Sequence, residues 1–543
     1  MAAGSEATVQ APTSRPARGL MGAAGLVSLA TSLSRLGGLV REQMFAALLG
    51  AGFYSDAFVV AFRIPNLLRD LLAEGALSTA FVPTFTQQLV RQGKPAAFSL
   101  GNLVLTSLCL VTAAVVLIGT IAAEPLVRWI APGFAATPGK LELTTTLTRI
   151  LFPFLPMVAL AAVLMGMLNA QHRFFVPAVA PALFNLAAIV VGAVLLLVHP
   201  GEHSTVLLWT GAVLLGGLLQ MGVQIPPLAR AGWQFRPRFR PRFDDPALRQ
   251  ILRLMAPAVI GLSATQVNIF VANILASHLE QGSPSWLNYA FRLLQLPIGV
   301  FGVAVATVNL TALSRHAARE DLPAFRASLT GALKLVAFLT LPATAGLVAL
   351  REPIIALLYE HGRFSAHDTA RTAAVLSMYA IGLYAYAAVK VLAPAFYALQ
   401  EARVPLLASV SAVVCNILCS LLLYQRLGAP GLALGTSVGA LVNLSVLYTL
   451  FVRRRGSLGE RDLLGQLVRV GAAAAVMGVA CRFLARWLEA RFVTTSLVTD
   501  CVVTLVPVAL GVPLYFGLAW VLRLEEARLV WRRLARRARP SPP

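Results

Sequence analysis

Residues Ser55 to Pro83 read SDAFVVAFRIPNLLRDLLAEGALSTAFVP, an apolar run interrupted by Asp56, Arg63, Asp70 and Glu74 at spacings of seven, seven and four. At about 100° per residue, a helix gathers those four side chains within about 40° of one another. Asn66 flanks the stripe, Arg69 points elsewhere, and Pro65 predicts a kink. Hydrocarbon does not accept such a stripe, because a charge at mid-bilayer costs on the order of 3 kcal/mol or more. The stripe must look onto a wet interior or onto charged partners. Asp70 and Glu74 have a second reading, as ion-paired charges at the cytoplasmic end of the span.

The surrounding sequence is membrane-like. Of 543 residues, 58% are hydrophobic and 13% charged, whereas a soluble chain carries roughly 25% charged residues. Apolar stretches long enough to cross a bilayer recur from Leu20 to Leu522. They predict an all-α polytopic protein of about fourteen spans, near 20–49, 55–90, 97–123, 142–169, 174–199, 204–231, 248–279, 284–314, 323–349, 366–399, 403–424, 428–452, 463–488 and 496–523. The net charge of +22 does not indicate nucleic acid, because the arginines cluster between spans in the pattern of cytoplasmic loops. Arg91, Arg236, Arg249, Arg319, Arg453–Arg455 and the tail arginines all fall on one side if both termini are cytoplasmic, with Arg482, Arg486 and Arg491 as exceptions. The five cysteines lie in apolar spans and form no disulfide or metal framework.

A repeat divides the chain. Ala61-Phe62-Arg63 recurs as Ala290-Phe291-Arg292, and Gln171 recurs as Gln400, both shifted by 229 residues; Val176-Pro177 recurs as Val404-Pro405, shifted by 228. Two six-span halves of like topology follow, a transporter architecture with the substrate site between halves. The expected organisation is a disordered N-terminus (1–19), an N-lobe (20–231), a basic loop (232–247), a C-lobe (248–452), two further spans (453–523) and a basic tail (524–543).

Other interior charges share this logic. Span one holds Arg35, Arg41 and Glu42 around Gly37-Gly38. Arg35 lies about 22 Å along a helix starting near Leu20, and a bend at the glycine pair would let both arginines face one cavity. Arg41 and Glu42 also read as marking the far membrane surface. Span eight carries Asn288, Arg292 and Gln295 on one face, followed by Gly299 and Gly302. Span ten carries Tyr386, Lys390 and Tyr397, where Lys390 is either a site residue or a structural partner for a carboxylate. Span seven offers Thr265, Gln266, Asn268 and Asn273, as interhelical hydrogen-bond partners or as ligands of a small cation. The surplus of interior arginine suits a phosphate, which guanidinium binds in bidentate fashion, and it is wrong for a cationic drug.

Ser34-Arg35 through Arg41-Glu42, the Ser55–Pro83 stretch, SWLNYAFRLLQLPIGVFGVA (Ser285–Ala304) and VKVLAPAFYALQEARVP (Val389–Pro405) together resemble the MurJ/MviN family of bacterial lipid II flippases. The resemblance implies fourteen helices in two six-helix lobes, within the multidrug/oligosaccharidyl-lipid/polysaccharide exporter superfamily. It implies a cationic central cavity and a groove of helices thirteen and fourteen for the lipid tail. It maps essential arginines to Arg35, Arg41, Arg69 and Arg292, and carboxylates to Asp56 and Glu74. One departure is Phe291, where many members carry Asp. Some members hold sodium between helices seven and eleven; here those positions offer only Asn268, Asn273 and Asn416, which puts sodium coupling in doubt.

The expected activity is transfer of lipid II, or a similar polyprenyl-diphosphate glycolipid, across the bacterial inner membrane to supply cell-wall synthesis, with the synthesis machinery as a candidate partner. No cofactor is expected beyond a coupling Na⁺ or H⁺. No GxxxxGK[ST] motif occurs, so the chain is expected not to hydrolyse ATP. The alternatives are an exporter of another polyprenyl-linked oligosaccharide, a drug/ion antiporter of the same superfamily, a membrane glycosyltransferase, and a non-transporting scaffold. The glycosyltransferase would need a large catalytic loop, and the drug antiporter interior carboxylates.

Overall fold

The structure, a computed structural model, describes residues 17–69, 77–237, 245–492 and 496–528, without the side chains of 17–29, 78–79 and 256–265. Asp70, Glu74, Thr265, Arg238, Arg240, Arg242 and the arginines beyond Arg528 lie outside the described residues or side chains, so the expectations placed on them are not located.

Every described element is helical. The first half comprises α1 (Ala17–Leu49), α2 (Phe53–Arg69), α3 (Ser78–Ile121), α4 (Ala123–Ile130), α5 (Lys140–Leu151), α6 (Phe154–Ala170), α7 (Phe175–Val198), α8 (Glu202–Gly222) and α9 (Ile225–Ala229). The second comprises α10 (Pro246–Ser277), α11 (Ser283–Pro297), α12 (Val303–Ala318), α13 (Leu322–Ala349), α14 (Arg351–Tyr359), α15 (Ala366–Ala380), α16 (Leu383–Ala398), α17 (Arg403–Leu427) and α18 (Ala429–Arg455), with α19 (Glu460–Arg491) and α20 (Leu497–Val521) after it.

Among the described residues, ten helices are long and apolar enough to cross a membrane, or eleven with the pair α15–α16, bent by 41°, taken as one span. The number falls short of the expected fourteen partly because α2 has 17 residues and because side chains of α1 (17–29) and α10 (256–265) lie outside the described residues.

Local chemistry fixes the helix ends. Asp245 caps α10, accepting from the N–H groups of Ala247 and Leu248 ahead of Pro246. Ser365 and Asp368 form a capping box on α15. Gly93, at φ 82° and ψ 179°, breaks α3 two residues before Pro95, at the place where the sequence separates its second and third spans.

The four largest apolar clusters among the described residues organise the packing. One gathers α3, α6 and the start of α10 around Phe81, Phe85 and Met167. A second joins α13, α16 and α18 around Phe325, Phe396 and Phe451. A third seats α19 and α20 on α13 through Phe338, Met477 and Tyr515. The largest spans both halves, from Phe45 and Phe58 of the first to Tyr289 and Tyr359 of the second. The halves are therefore sealed together by aromatic packing at the end where α1 finishes and α2 begins.

Candidate substrate chamber

A cavity of about 60 Å³ lies between the halves, with Arg41, Glu42, Arg63, Asn66, Asn288 and Arg292 as its polar lining. Phe58, Phe62, Phe184 and Trp209 complete the wall. Among the described residues, three guanidiniums and one carboxylate thus line the cavity. That volume holds a few waters and no diphosphate.

Glu42 organises it. The side chain is buried, 7% exposed, and accepts from Arg41 Nη2 at 2.6 Å while Arg292 Nη2 lies 3.1 Å away. Because Arg41 sits on α1 and Arg292 on α11, this one carboxylate ties the two halves together. Asn185 of α7 steadies Arg41: it accepts from Nη1 at 3.2 Å and donates to the Ser34 carbonyl at 2.9 Å. Phe184 stacks 5.2 Å from the Arg41 guanidinium, a favourable cation–π distance. Arg292 keeps 43% of its side chain exposed, so its bond to Glu42 is open to competition.

Arg63 and Arg292 both line the cavity and are equivalent under the 229-residue repeat. So are Asn66 and Gln295, of which Asn66 lines it and Gln295 is exposed. Arg35 lies outside the enclosed volume, exposed, with its Nη1 3.6 Å from where a Gly299 Cβ would stand. It therefore reaches the second half along the seam. Arg69 is half-buried at the end of α2. Lys390 is exposed and makes no hydrogen bond or ion pair among the described residues. Phe291 packs against Tyr379 with ring centroids 5.5 Å apart and the planes tilted by 58°, so the departure from the family Asp fills an apolar niche.

Asp56 sits apart from the chamber, although it shares the stripe of Arg63. It is fully buried and fully satisfied. Lys140 Nζ donates at 2.9 Å, the Gly282 N–H at 2.8 Å, the Ser285 N–H at 3.2 Å and the Ser285 hydroxyl at 2.7 Å. Ser285 stands 229 residues after Asp56, so the repeat brings its own equivalent positions together, as a two-fold relation requires at its axis. This latch joins α2 and α5 to the start of α11. Beside it, Gly50 and Gly362 both adopt φ +61°. Arg363 N donates to the Ala47 carbonyl at 2.9 Å, and a Cβ on Gly50 would stand 2.6 Å from the Arg363 oxygen.

The expected cation ligands do not assemble a cage. Asn416 of α17 donates its amide to the Asn268 oxygen, and Ser420 donates to the Asn416 oxygen at 3.0 Å. Asn273 donates to the Ile269 carbonyl of its own helix at 3.0 Å. The Asn268 and Asn416 side-chain oxygens thus each accept one side-chain hydrogen bond. Among the described residues, no group of three or more His, Cys, Asp or Glu could hold a metal.

Two contributors, Lys140 and Asn185, escaped the sequence reading, and a third, Glu42, was read two ways. Glu42 was ambiguous because it sits beside the expected membrane surface. Lys140 reads as an ordinary boundary cation just before span four. Asn185 left one signal, a lone amide in an apolar span.

A family model described as the lipid II flippase MurJ matches residues 45–503. The lipid II flippase MurJ of Burkholderia cenocepacia is 35% identical over 512 residues, 92% of this chain and 97% of that protein. The probable lipid II flippase MurJ of Rhizobium tropici is 35% identical over 517 residues, 94% and 96% respectively. A solved lipid II flippase MurJ in an inward closed conformation superposes with a TM-score of 0.76 at 25% identity, over 91% of this chain and 98% of that one. An inward-facing MATE family multidrug resistance transporter shares the fold, with a TM-score of 0.65 at 17% identity over 79% of this chain and 96% of that one. The chain, a multi-pass membrane protein, belongs to the MurJ family of lipid II flippases.

Proposed function

We propose that the chain moves lipid II from the cytoplasmic to the outer leaflet of the bacterial inner membrane, its diphosphate drawn to Arg41, Arg63 and Arg292. The observation that carries this reading is the convergence of Arg41, Arg63 and Arg292 on one cavity, where Arg41 and Arg292 share the exchangeable carboxylate of Glu42. A diphosphate brings more negative charge than Glu42 and matches the arginine fork. It would take Arg292 and Arg41 from Glu42, loosening the tie between α1 and α11. Arg35, at the seam, is placed to meet the substrate on entry. The polyprenyl tail stays in lipid along α19 and α20. With both termini cytoplasmic, the Asp56 latch lies at the periplasmic end, and its opening would release the headgroup outward.

Transfer of charge through the chamber couples to the membrane potential at about 2.3 kcal/mol per elementary charge per 100 mV. No step is assigned to sodium. Supply of substrate to the outer leaflet would serve the cell-wall synthesis machinery.

The test is complementation of a strain depleted of its lipid II flippase, with lipid II exposure measured in spheroplasts. Arg292→Ala should insert normally and fail to complement. Arg292→Lys should recover only part of the activity, because an ammonium lacks the fork. Normal flipping by Arg292→Ala would remove the chamber from the mechanism.

A further inference from the structure

A second concavity, of about 710 Å³, opens where α13 and α19 begin and the chain leaves α20. That volume lies in the range of about 300–1,000 Å³ of small-molecule clefts. Its floor is one face of α13, where Ala327 and Gly331 leave room between Arg326 and Lys334. Nothing stands within 4 Å of where a Gly331 Cβ would be. The opposite wall is Ser457 and Leu458 of the α18–α19 linker, with Glu525 and Glu526. All three helix ends mark a bilayer boundary, so the cleft lies at headgroup depth.

Its charges are only partly paired. Lys334 is spent on Asp462. Glu526 is 8% exposed; its Oε1 accepts from Gln466 at 2.7 Å, while the buried Oε2 has no hydrogen-bond partner among the described residues. Arg326 is half-buried and makes no hydrogen bond or ion pair among the described residues. Its Nη1 instead points at the linker, 2.6 Å from where a Gly456 Cβ would lie. A cation and an anion that face one cleft without meeting ask for a ligand carrying both signs. A bare anion would meet Glu525 and Glu526, and a bare cation would meet Arg326.

We propose that this cleft binds the headgroup of an aminophospholipid, its phosphate on Arg326 and its primary ammonium on Glu526. The ammonium supplies the N–H donor that Oε2 lacks, which a quaternary choline cannot. The phosphate receives the guanidinium fork. The glycerol and acyl chains would leave past Leu335 and Pro323 into the bilayer.

The test is native mass spectrometry of the full-length protein in detergent, titrated separately with phosphatidylethanolamine, phosphatidylcholine, phosphatidylglycerol and water-soluble phosphoethanolamine. Phosphatidylethanolamine should be retained about tenfold better than the other two lipids. Glu526→Gln, which keeps an amide oxygen for Gln466, and Arg326→Gln should each abolish that preference, while Lys390→Ala should not. Thermal unfolding of each variant without added lipid confirms that the fold is intact. Equal retention of the three lipids, or a preference that survives both variants, overturns the proposal. Saturation by phosphoethanolamine alone would overturn the lipid as its source.

Discussion

Asp56 and Glu42 are both buried carboxylates that bridge the two halves, and they are built in opposite ways. Asp56 takes four bonds from an ammonium, two backbone N–H groups and a hydroxyl, although it too borders a cavity, of about 180 Å³. Glu42 is shared between two arginines beside a cavity, and one of those arginines is 43% exposed. A saturated carboxylate cannot lose a partner without leaving a charge buried alone, whereas one held by a half-wet arginine can change partners at little cost. The first arrangement fixes the halves; the second lets them respond to an incoming anion.

The largest effect expected from this contrast is on stability. Asp56→Ala strands Lys140, whose side chain is 4% exposed, and should cost about 3–5 kcal/mol, read as a fall in the thermal unfolding midpoint of the purified protein. Adding Lys140→Met should recover at least half of it, and a single-variant loss below about 1 kcal/mol would erase the distinction. Glu42→Gln should cost less stability, about 1–2 kcal/mol, while reducing lipid II exposure about tenfold or more. The contrast breaks if Glu42→Gln unfolds as readily as Asp56→Ala or flips normally.

The smallest effect belongs to a third carboxylate, Glu401, outside the spans. Burial raises its pKa, but the hydrogen bonds of Arg455 and Arg454 outweigh burial and hold it below the usual carboxylate value of 4.5. Its folded pKa being depressed, its stabilisation is present above about pH 4.5 and fades as the pH falls below that value. Glu401→Gln should flatten that slope while costing about 1 kcal/mol or less at neutral pH. A variant that retains the wild-type acid slope would detach Glu401 from it.

The helical membrane class was legible because apolar runs of span length cannot be mistaken for soluble helices, and Gly93 falls where the runs divide. Arg63 and Arg292 could be read as partners because the repeat links them. The stripe on α2 was only half informative: periodicity gives the direction a side chain points, not the depth at which its helix meets another. Asp56 and Arg63 share a direction, yet one is swallowed by the start of α11 and the other faces the chamber. Lys140 was invisible for a related reason, since a cation at a span boundary ordinarily snorkels to water and only tertiary closure turns it inward. Arg35 was placed by depth along α1, but whether it stood inside the enclosed volume or on the seam depended on how closely the halves approach.

The meeting of Asp56 with Ser285 bears on how such a molecule could be assembled from a single module used twice. In a symmetric pair of identical modules, each residue on the axis confronts its own copy. Asp at both places would set two carboxylates against each other, and one would have to take up a proton to remain. Ser at both would leave Lys140 with nothing to neutralise it. The fastening therefore works only between modules that have ceased to be alike, and a homodimer rebuilt from either half should separate first at this point.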